Sequence, residues 1–156
     1  MAKLHIICGF LGAGKTTFAK QLALEVNGIH LNPDEWCMKL FQPKEYENNW
    51  NRCFAKTMDM LWLKSKDYLD EGRDVILDMG FWSRKSRDAA RENARIWGTE
   101  YRLYYVYAKD SVLQRRIARR PGAIAAGNLE CFAELKEKFE APAGDEEYIE
   151  IDTNGK

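Results

Sequence analysis

A chain of 156 residues is long enough for one domain with a single core, and we predict one domain over residues 1–156. Its 24 basic residues balance its 24 acidic ones, which argues against nucleic acid as a partner because no overall positive field attracts a polyanion. Four cysteines without C-x-x-C spacing indicate reduced thiols rather than disulfides or zinc ligands. Since we find neither a signal peptide nor an apolar run of spanning length, we expect a cytoplasmic protein with no membrane partner.

The first predicted strand, residues 3–8, leads into a loop whose sequence is GFLGAGKT, residues 9–16. This is a complete G-x-x-x-x-G-K-[ST] pattern, and helical spacing of apolar residues over about 14–26 supplies the strand–loop–helix setting that the pattern needs. Backbone N–H groups of such a loop and the positive end of the helix dipole bind phosphate oxygens. The sequence therefore predicts a triphosphate site formed by Gly9, Leu11, Gly12, Ala13, Gly14, Lys15, Thr16 and Thr17.

Two side chains of the loop have specific predicted tasks, and a third residue joins them from another strand. Lys15 reaches the β- and γ-phosphates, and the Thr16 hydroxyl ligates Mg²⁺. Asp78 closes the predicted third strand, about residues 75–78, which we expect beside the first. An acid at that point either holds Mg²⁺ or a Mg²⁺-bound water, or is an exposed carboxylate at a strand end. Next to a phosphate loop, we favour the metal role.

Asp34 directly follows the second predicted strand, residues 29–31. Asn32 is a good N-cap, Pro33 suits a first helical position, and Glu35 completes a predicted capping box. In an open α/β sheet ligands bind at the carboxyl ends of the strands, where phosphoryl transfer to a hydroxyl needs a group that orients the acceptor or takes its proton. Asp34 is our candidate for that group, although acids are also favoured in a first helical turn by the helix dipole alone.

The remaining elements continue the alternation of strand and helix. Apolar spacing and stop signals predict helices at 33–41, 45–70, 83–97 and 129–139. A further helix is predicted from a Ser111–Gln114 capping box to Pro121, followed by a small-residue loop at 122–127. Two more strands are predicted at 101–107 and 148–151. This alternation predicts an α/β fold, with a parallel sheet covered on both faces. By analogy we expect a three-layer P-loop NTPase fold of the nucleoside-monophosphate-kinase type, with five strands in the order 2-3-1-4-5.

Two groups of arginines are candidates for phosphate or substrate contacts. One helix carries two i, i+4 pairs that lead into the small-residue loop, and we choose Arg116 and Arg120 as arginines of a small lid over about 116–130. A solvated basic face is the alternative. Arg84 and Arg87 lie in a first helical turn, where a cation is unfavourable for the helix dipole, and this hints at a substrate role. We expect most of the stripe that they share with Arg91 and Arg95 to lie at the surface.

The five tryptophans fall into two groups according to their place in the predicted elements. Trp50, Trp62 and Trp97 fall on helical stripes and are predicted in the core. Trp36 and Trp82 follow the two acids at the sheet edge, and they either line an acceptor pocket or simply pack.

With these residues in place, the chain resembles small bacterial P-loop proteins described as predicted kinases or AAA family ATPases. The resemblance rests on residues 9–17, 32–36, 77–84, 139–142 and 145–146, of which the segment LDMGFWSR at 77–84 is the most specific. The wider group includes chloramphenicol phosphotransferase, gluconate kinase, zeta toxins and the kinase domain of phage 5′-polynucleotide kinase.

The resemblance implies ATP as the phosphoryl donor, Asp34 as the carboxylate that activates the acceptor, and Arg116 and Arg120 as lid arginines. It also implies that a segment from about Phe139 to Thr153 borders the adenine. Polynucleotide kinases carry an arginine three residues after the catalytic aspartate, where this chain has Cys37. That departure, like the neutral charge, argues against a polynucleotide acceptor.

The leading hypothesis is therefore an ATP- and Mg²⁺-dependent kinase acting on a hydroxyl of a small molecule, with Asp34, Trp36, Trp82 and Arg84 at the acceptor. Two alternatives stay open: a nucleotide-dependent binding ATPase and a nucleic-acid 5′-hydroxyl kinase. The sequence identifies neither the acceptor nor the oligomeric state.

Overall fold

Five parallel strands form the single sheet of the protein. In a computed structural model that describes all 156 residues, they are β1 (Lys3–Cys8), β2 (Ile29–Leu31), β3 (Val75–Gly80), β4 (Glu100–Tyr107) and β5 (Ile149–Asp152). Their order is β2-β3-β1-β4-β5, which confirms the predicted fold class and strand order. β1 lies in the centre with β3 and β4 as neighbours, so the loops that follow β1, β2 and β3 meet at one edge of the sheet.

Eight helices cover the two faces of the sheet. They are α1 (Lys15–Glu25), α2 (Pro33–Leu40), α3 (Pro43–Asn48), α4 (Trp50–Asp70), α5 (Arg84–Ile96), α6 (Asp110–Ala118), α7 (Ala123–Glu130) and α8 (Phe132–Lys138). Two predicted N-caps are present: the Asn32 side chain accepts from the Glu35 N–H, and the Ser83 hydroxyl accepts from the Ser86 N–H. The capping box predicted at Glu35 is incomplete, because the Glu35 carboxylate pairs instead with Lys20 at 3.2 Å.

The prediction of one helix over 45–70 is wrong, since α3 and α4 are separate. The backbone of Asn49, with φ of −140° and ψ of 52°, leaves the helical region between them. α3 has its own start, where Pro43 takes the first helical position and the Glu45 carboxylate accepts from the Gln42 N–H at 2.7 Å. The chain thus forms a short helix with its own start before α4, and the break between them falls at Asn49.

Two predictions near residue 120 are also wrong. Residues 123–130 form α7 rather than a loop, because alanine is the best helix former and Gly122, at φ of 101°, only provides the turn before it. The Ser111–Gln114 capping box is absent, because α6 begins one residue earlier, at Asp110. Its N-cap is Lys109, whose N–H donates to the Asn154 side chain at 2.7 Å.

The core has two layers, one on each face of the sheet. Alternate residues of β1 serve the two layers: Leu4 and Ile6 pack toward α4 and α5, and Ile7 packs toward α1 and α6. Trp62 and Trp97 are partly buried against the first layer, whereas Trp50 is 39% exposed and its predicted core position is wrong. It lies at the start of α4, where the rings of Phe54 and Tyr46 pack against it. None of the helices has the length and apolar character needed to cross a bilayer.

Arg87 is a buried structural residue, which corrects its predicted surface or substrate role. Its side chain is 1% exposed, and its Nε and Nη2 donate to the two carboxylate oxygens of Glu146 at 2.9 and 3.0 Å. Its Nη1 donates to the carbonyls of Phe81 and Glu140 at 2.9 and 2.8 Å. Arg91 also donates to Glu146. These contacts hold the segment after α8 against the turn that follows β3.

Candidate functional site

The glycine-rich loop connects β1 to α1 and depends on the small size of its residues. A Cβ on Gly9 would lie 2.5 Å from the Val106 carbonyl oxygen, and Gly12 and Gly14 have φ of 77° and 94°. The Lys15 ammonium donates to the Phe10 carbonyl at 2.9 Å, within its own loop. Burial lowers the pKa of Lys15, and the nearby Asp78 carboxylate opposes that shift.

Asp78, 3% exposed, is bound by donors from two other elements. Its Oδ2 accepts from the Thr16 hydroxyl at 2.8 Å, from His30 Nε2 at 3.0 Å and from Asn32 Nδ2 at 3.0 Å. Burial alone would raise the pKa of Asp78, but these hydrogen bonds hold it below its usual value. The residue is therefore a fixed carboxylate whose negative charge lies against the start of α1.

His30 and Asn32 orient this carboxylate, a contact that was not predicted, although Asn32 was predicted as an N-cap. His30 lies in β2 and Asn32 directly follows it, and residues two apart lie on the same side of the sheet because side chains alternate along a strand. β2 pairs with β3 in a register that places Leu31 opposite Leu77, and this brings Asn32 beside Asp78. A polar residue in the short predicted strand, with a second polar residue two positions later, was the sequence signal from which this contact could have been predicted.

Thr16 and Asp78 together fit a magnesium ion. Hydroxyl and carboxylate oxygens are the ligands that Mg²⁺ prefers. All three protein donors bind Oδ2 of Asp78, so Oδ1 is not used by any of them. The donor set is thus compatible with the metal role expected from the sequence.

Asp34 and Lys15 line the same cavity, whose volume is about 260 Å³. Asp34 lies in the first turn of α2, exposed to solvent at the sheet edge. Partial desolvation raises the pKa of Asp34, the charge of Asp78 raises it further, and the Lys15 ammonium opposes both. The other lining residues come from the glycine-rich loop and the start of α1, from the ends of β2 and β3 and the residues that follow them, from α4 and from the turn after α6: Leu11, Gly12, Gly14, Thr16, Thr17, Asn32, Pro33, Phe54, Asp78, Met79, Gly80, Trp82 and Arg120.

Of the residues predicted at an acceptor, the structure brings Asp34 and Trp82 to this cavity but not Trp36 or Arg84. Trp36 packs against the core, with Lys39 over its ring at 5.8 Å. The Arg84 guanidinium donates to Asp88 at 3.0 Å and to Asp145 at 2.7 Å. Phe54 and Met79 line the cavity instead. Phe54 lies on α4, one helical turn after Trp50.

The two predicted lid arginines occupy different environments. The Arg116 guanidinium is bound by the glycine-rich loop and by the C-terminal segment. Its Nη1 donates to the Gly12 carbonyl at 3.1 Å and to the Thr153 hydroxyl at 2.9 Å. Its Nη2 donates to the Lys156 carbonyl at 3.1 Å. Arg120 is exposed, and its guanidinium has no hydrogen bond or ion pair with the protein. Its side chain lines the first cavity.

A second cavity of about 290 Å³ lies on the other side of the glycine-rich loop. It shares Gly12, Gly14, Thr17 and Arg120 with the first cavity, so the two spaces adjoin. Its other walls are Phe18, Gln21, Arg116, Ile151, Thr153 and Lys156. Of the segment that the resemblance places at an adenine, residues 139–153, only Ile151 and Thr153 reach this cavity.

The central parallel sheet, the strand order and the glycine-rich loop define a nucleotide-binding P-loop protein with a kinase-like fold. A family model described as an AAA domain matches residues 4–142, and the chain therefore belongs to this AAA-domain family. No protein of curated function matches the sequence significantly.

Solved structures support the fold. The chain is similar to an unliganded sugar kinase from a Janibacter species, with TM-score 0.68 and 19% identity over 97% of this chain and 86% of that one. It is also similar to a gluconokinase from Sinorhizobium meliloti, with TM-score 0.66 and 16% identity over 96% of this chain and 82% of that one.

Proposed function

We propose that this protein is an ATP- and Mg²⁺-dependent phosphotransferase that moves the γ-phosphoryl group of ATP to a hydroxyl of a small molecule. The observation that carries the proposal is the cavity shared by Lys15 and Asp34. A lysine placed to bind phosphate and a carboxylate able to orient a hydroxyl line one cavity, as the proposed in-line transfer requires.

In the proposed reaction, backbone N–H groups of residues 9–16 and the Lys15 ammonium bind the phosphates of ATP. The adjoining second cavity, between Phe18 and Thr153, receives the nucleoside. Thr16 and Asp78 would hold Mg²⁺, which when bound neutralises charge on the β- and γ-phosphates.

Asp34 orients the acceptor hydroxyl and takes its proton as the oxygen attacks phosphorus and the bond to ADP breaks. Arg120, whose guanidinium has no protein partner, stabilises charge on the equatorial oxygens of the transferring group. The Arg116 contacts described above support a different task, which is to hold the loop carbonyl of Gly12 against the C-terminal segment. We retain residues 116–130, the end of α6 together with α7, as the proposed lid.

Two observations favour a small-molecule acceptor over a nucleic acid. The two similar structures described above are those of a sugar kinase and a gluconokinase. Cys37, at the position where polynucleotide kinases carry an arginine, is completely buried, so no side chain at this point of α2 faces a polyanion.

Replacing Lys15 tests the proposed function. Lys15→Ala removes the cation at the β- and γ-phosphates, and we expect it to abolish transfer of phosphate from ATP to a hydroxyl acceptor. The measurement is the mass of the phosphorylated product from a panel of sugars, nucleosides and aryl alcohols, with Lys20→Ala as the control because Lys20 is exposed and pairs with Glu35. Hydrolysis of ATP without product from any acceptor would favour a nucleotide-dependent binding ATPase instead.

A further inference from the structure

We propose that the acceptor is an uncharged alcohol whose apolar or aromatic body lies in a groove between α4 and α5. This inference rests on the proposed transferase function and names the class of its acceptor. The groove has a volume of about 500 Å³ and adjoins the catalytic cavity, because Met79 and Trp82 line both spaces.

The composition of the groove defines the chemistry of its occupant. Its walls are Met58 and Trp62 from α4, Met79 from β3, Phe81 and Trp82 from the following turn, and Ser83, Ser86 and Ala89 at the start of α5. None of these side chains is charged. An anionic group placed here would lose its hydration without gaining a counter-ion, which is costly.

The two serines offer little to a polyhydroxylated ligand. The Ser83 hydroxyl accepts from the Ser86 N–H at 3.0 Å, and the Ser86 hydroxyl donates to the Ser83 carbonyl at 2.7 Å. Asn32, at the neighbouring cavity, uses its amide to donate to Asp78 and to accept from the Glu35 N–H. A sugar body would leave several hydroxyls without partners, whereas an apolar body needs none.

The cations near the site already have ion-pair partners or proposed phosphate contacts. Lys15 and Arg120 line the phosphate side of the cavity, and Arg84 pairs with Asp88 and Asp145. The remaining charges that line the cavity are the carboxylates of Asp34 and Asp78, which repel a carboxylate or phosphate on the acceptor. One end of the acceptor thus carries the hydroxyl toward Asp34, and the rest extends past Trp82 into the groove.

Binding of matched alcohols to the full chain, loaded with a non-hydrolysable ATP analogue and Mg²⁺, tests the inference. We expect 4-phenylbutan-1-ol to bind at least about tenfold more tightly than its carboxylate analogue 4-(4-hydroxybutyl)benzoate or than gluconate, as measured by calorimetry. Ala89→Glu, which places a charge in the groove, should weaken binding of 4-phenylbutan-1-ol about tenfold, while Ala55→Glu changes it less than about twofold. Both alanines are exposed helical residues, but Ala55 does not line the groove.

The outcomes separate this inference from the proposed function. Equal or tighter binding of the two carboxylates, equal effects of Ala89→Glu and Ala55→Glu, or no binding of 4-phenylbutan-1-ol would overturn the acceptor class. With ATP in place of the analogue, transfer to gluconate alone would overturn the acceptor class and leave the transferase intact. Groove-dependent binding of 4-phenylbutan-1-ol without transfer to any alcohol would instead support the groove and contradict the transferase.

Discussion

Asp34→Asn lowers the rate of phosphoryl transfer by about 10²-fold or more, the scale typical of acid–base roles, and leaves the affinity for ATP nearly unchanged. The amide keeps the shape of the side chain but cannot accept the proton of the acceptor hydroxyl. The other groups that would contact ATP, Lys15 and the loop backbone, are untouched. The measurement is single-turnover transfer at saturating ATP, together with a separate determination of the dissociation constant for ATP.

Glu35→Gln is the matched control for Asp34→Asn, because it makes the same chemical change one residue along α2. Glu35 pairs with Lys20 and does not line the cavity, so transfer should stay within about twofold of the wild-type rate, as for most surface substitutions. An Asp34→Asn protein with undiminished transfer, or a control that loses as much, would remove Asp34 from the proposed mechanism.

Arg87→Leu lowers the free energy of unfolding by about 3 kcal/mol, the lower end of the range for breaking a buried ion pair. The substitution leaves the Glu146 carboxylate, 1% exposed, with Arg91 and the more distant Arg84 as its remaining cations. It also leaves the Glu140 carbonyl without a donor, whereas the Phe81 carbonyl keeps the Cys8 thiol. Urea denaturation measures the change. Arg95→Leu, on the same helix, should cost less than about 1 kcal/mol because the Arg95–Glu92 pair is exposed.

The effect of Arg87→Leu should also depend on pH. Burial alone would raise the pKa of Glu146, but hydrogen bonds from Arg87 and from the Ala143 N–H hold it below its usual value. The pair therefore contributes fully above the ordinary glutamate pKa of about 4.3, and its contribution is lost as the pH falls through the lower value of the folded protein. The stability difference between wild type and Arg87→Leu should shrink in acid. If Arg87→Leu lowers the free energy of unfolding at neutral pH by no more than Arg95→Leu does, the structural role of Arg87 is contradicted.

Features encoded by local sequence were predicted well. The glycine-rich loop needs only its own residues and the flanking strand and helix, and the Asn32 and Ser83 caps are likewise contacts within four residues. The strand order could be predicted because the loop motif selects a fold by analogy. Failures of local prediction came from competing signals, as at Pro43, where a proline-led start forms the short helix α3 ahead of the longer α4.

Contacts between elements distant in sequence could not be predicted in the same way. Arg84 and Arg87 have the same residue type and lie in the same turn of α5. Only packing of the 139–146 segment buries Arg87 on Glu146 and leaves Arg84 at the surface with Asp145. Phe54 likewise lies one helical turn after Trp50 on α4, and its place in the cavity with Lys15 and Asp34 depends on contacts between elements distant in sequence. An apolar side chain that lines a cavity gives no separate signal in one sequence.

A crystal structure of the protein with a non-hydrolysable ATP analogue and Mg²⁺ tests the central claim most directly. We expect the γ-phosphate to lie between the Lys15 ammonium and the Asp34 carboxylate, with the nucleoside on the Phe18 and Thr153 side of the loop. A γ-phosphate bound elsewhere would contradict the proposed phosphoryl transfer. So would an Asp34 side chain turned to bulk solvent with no space for an acceptor between it and the phosphate.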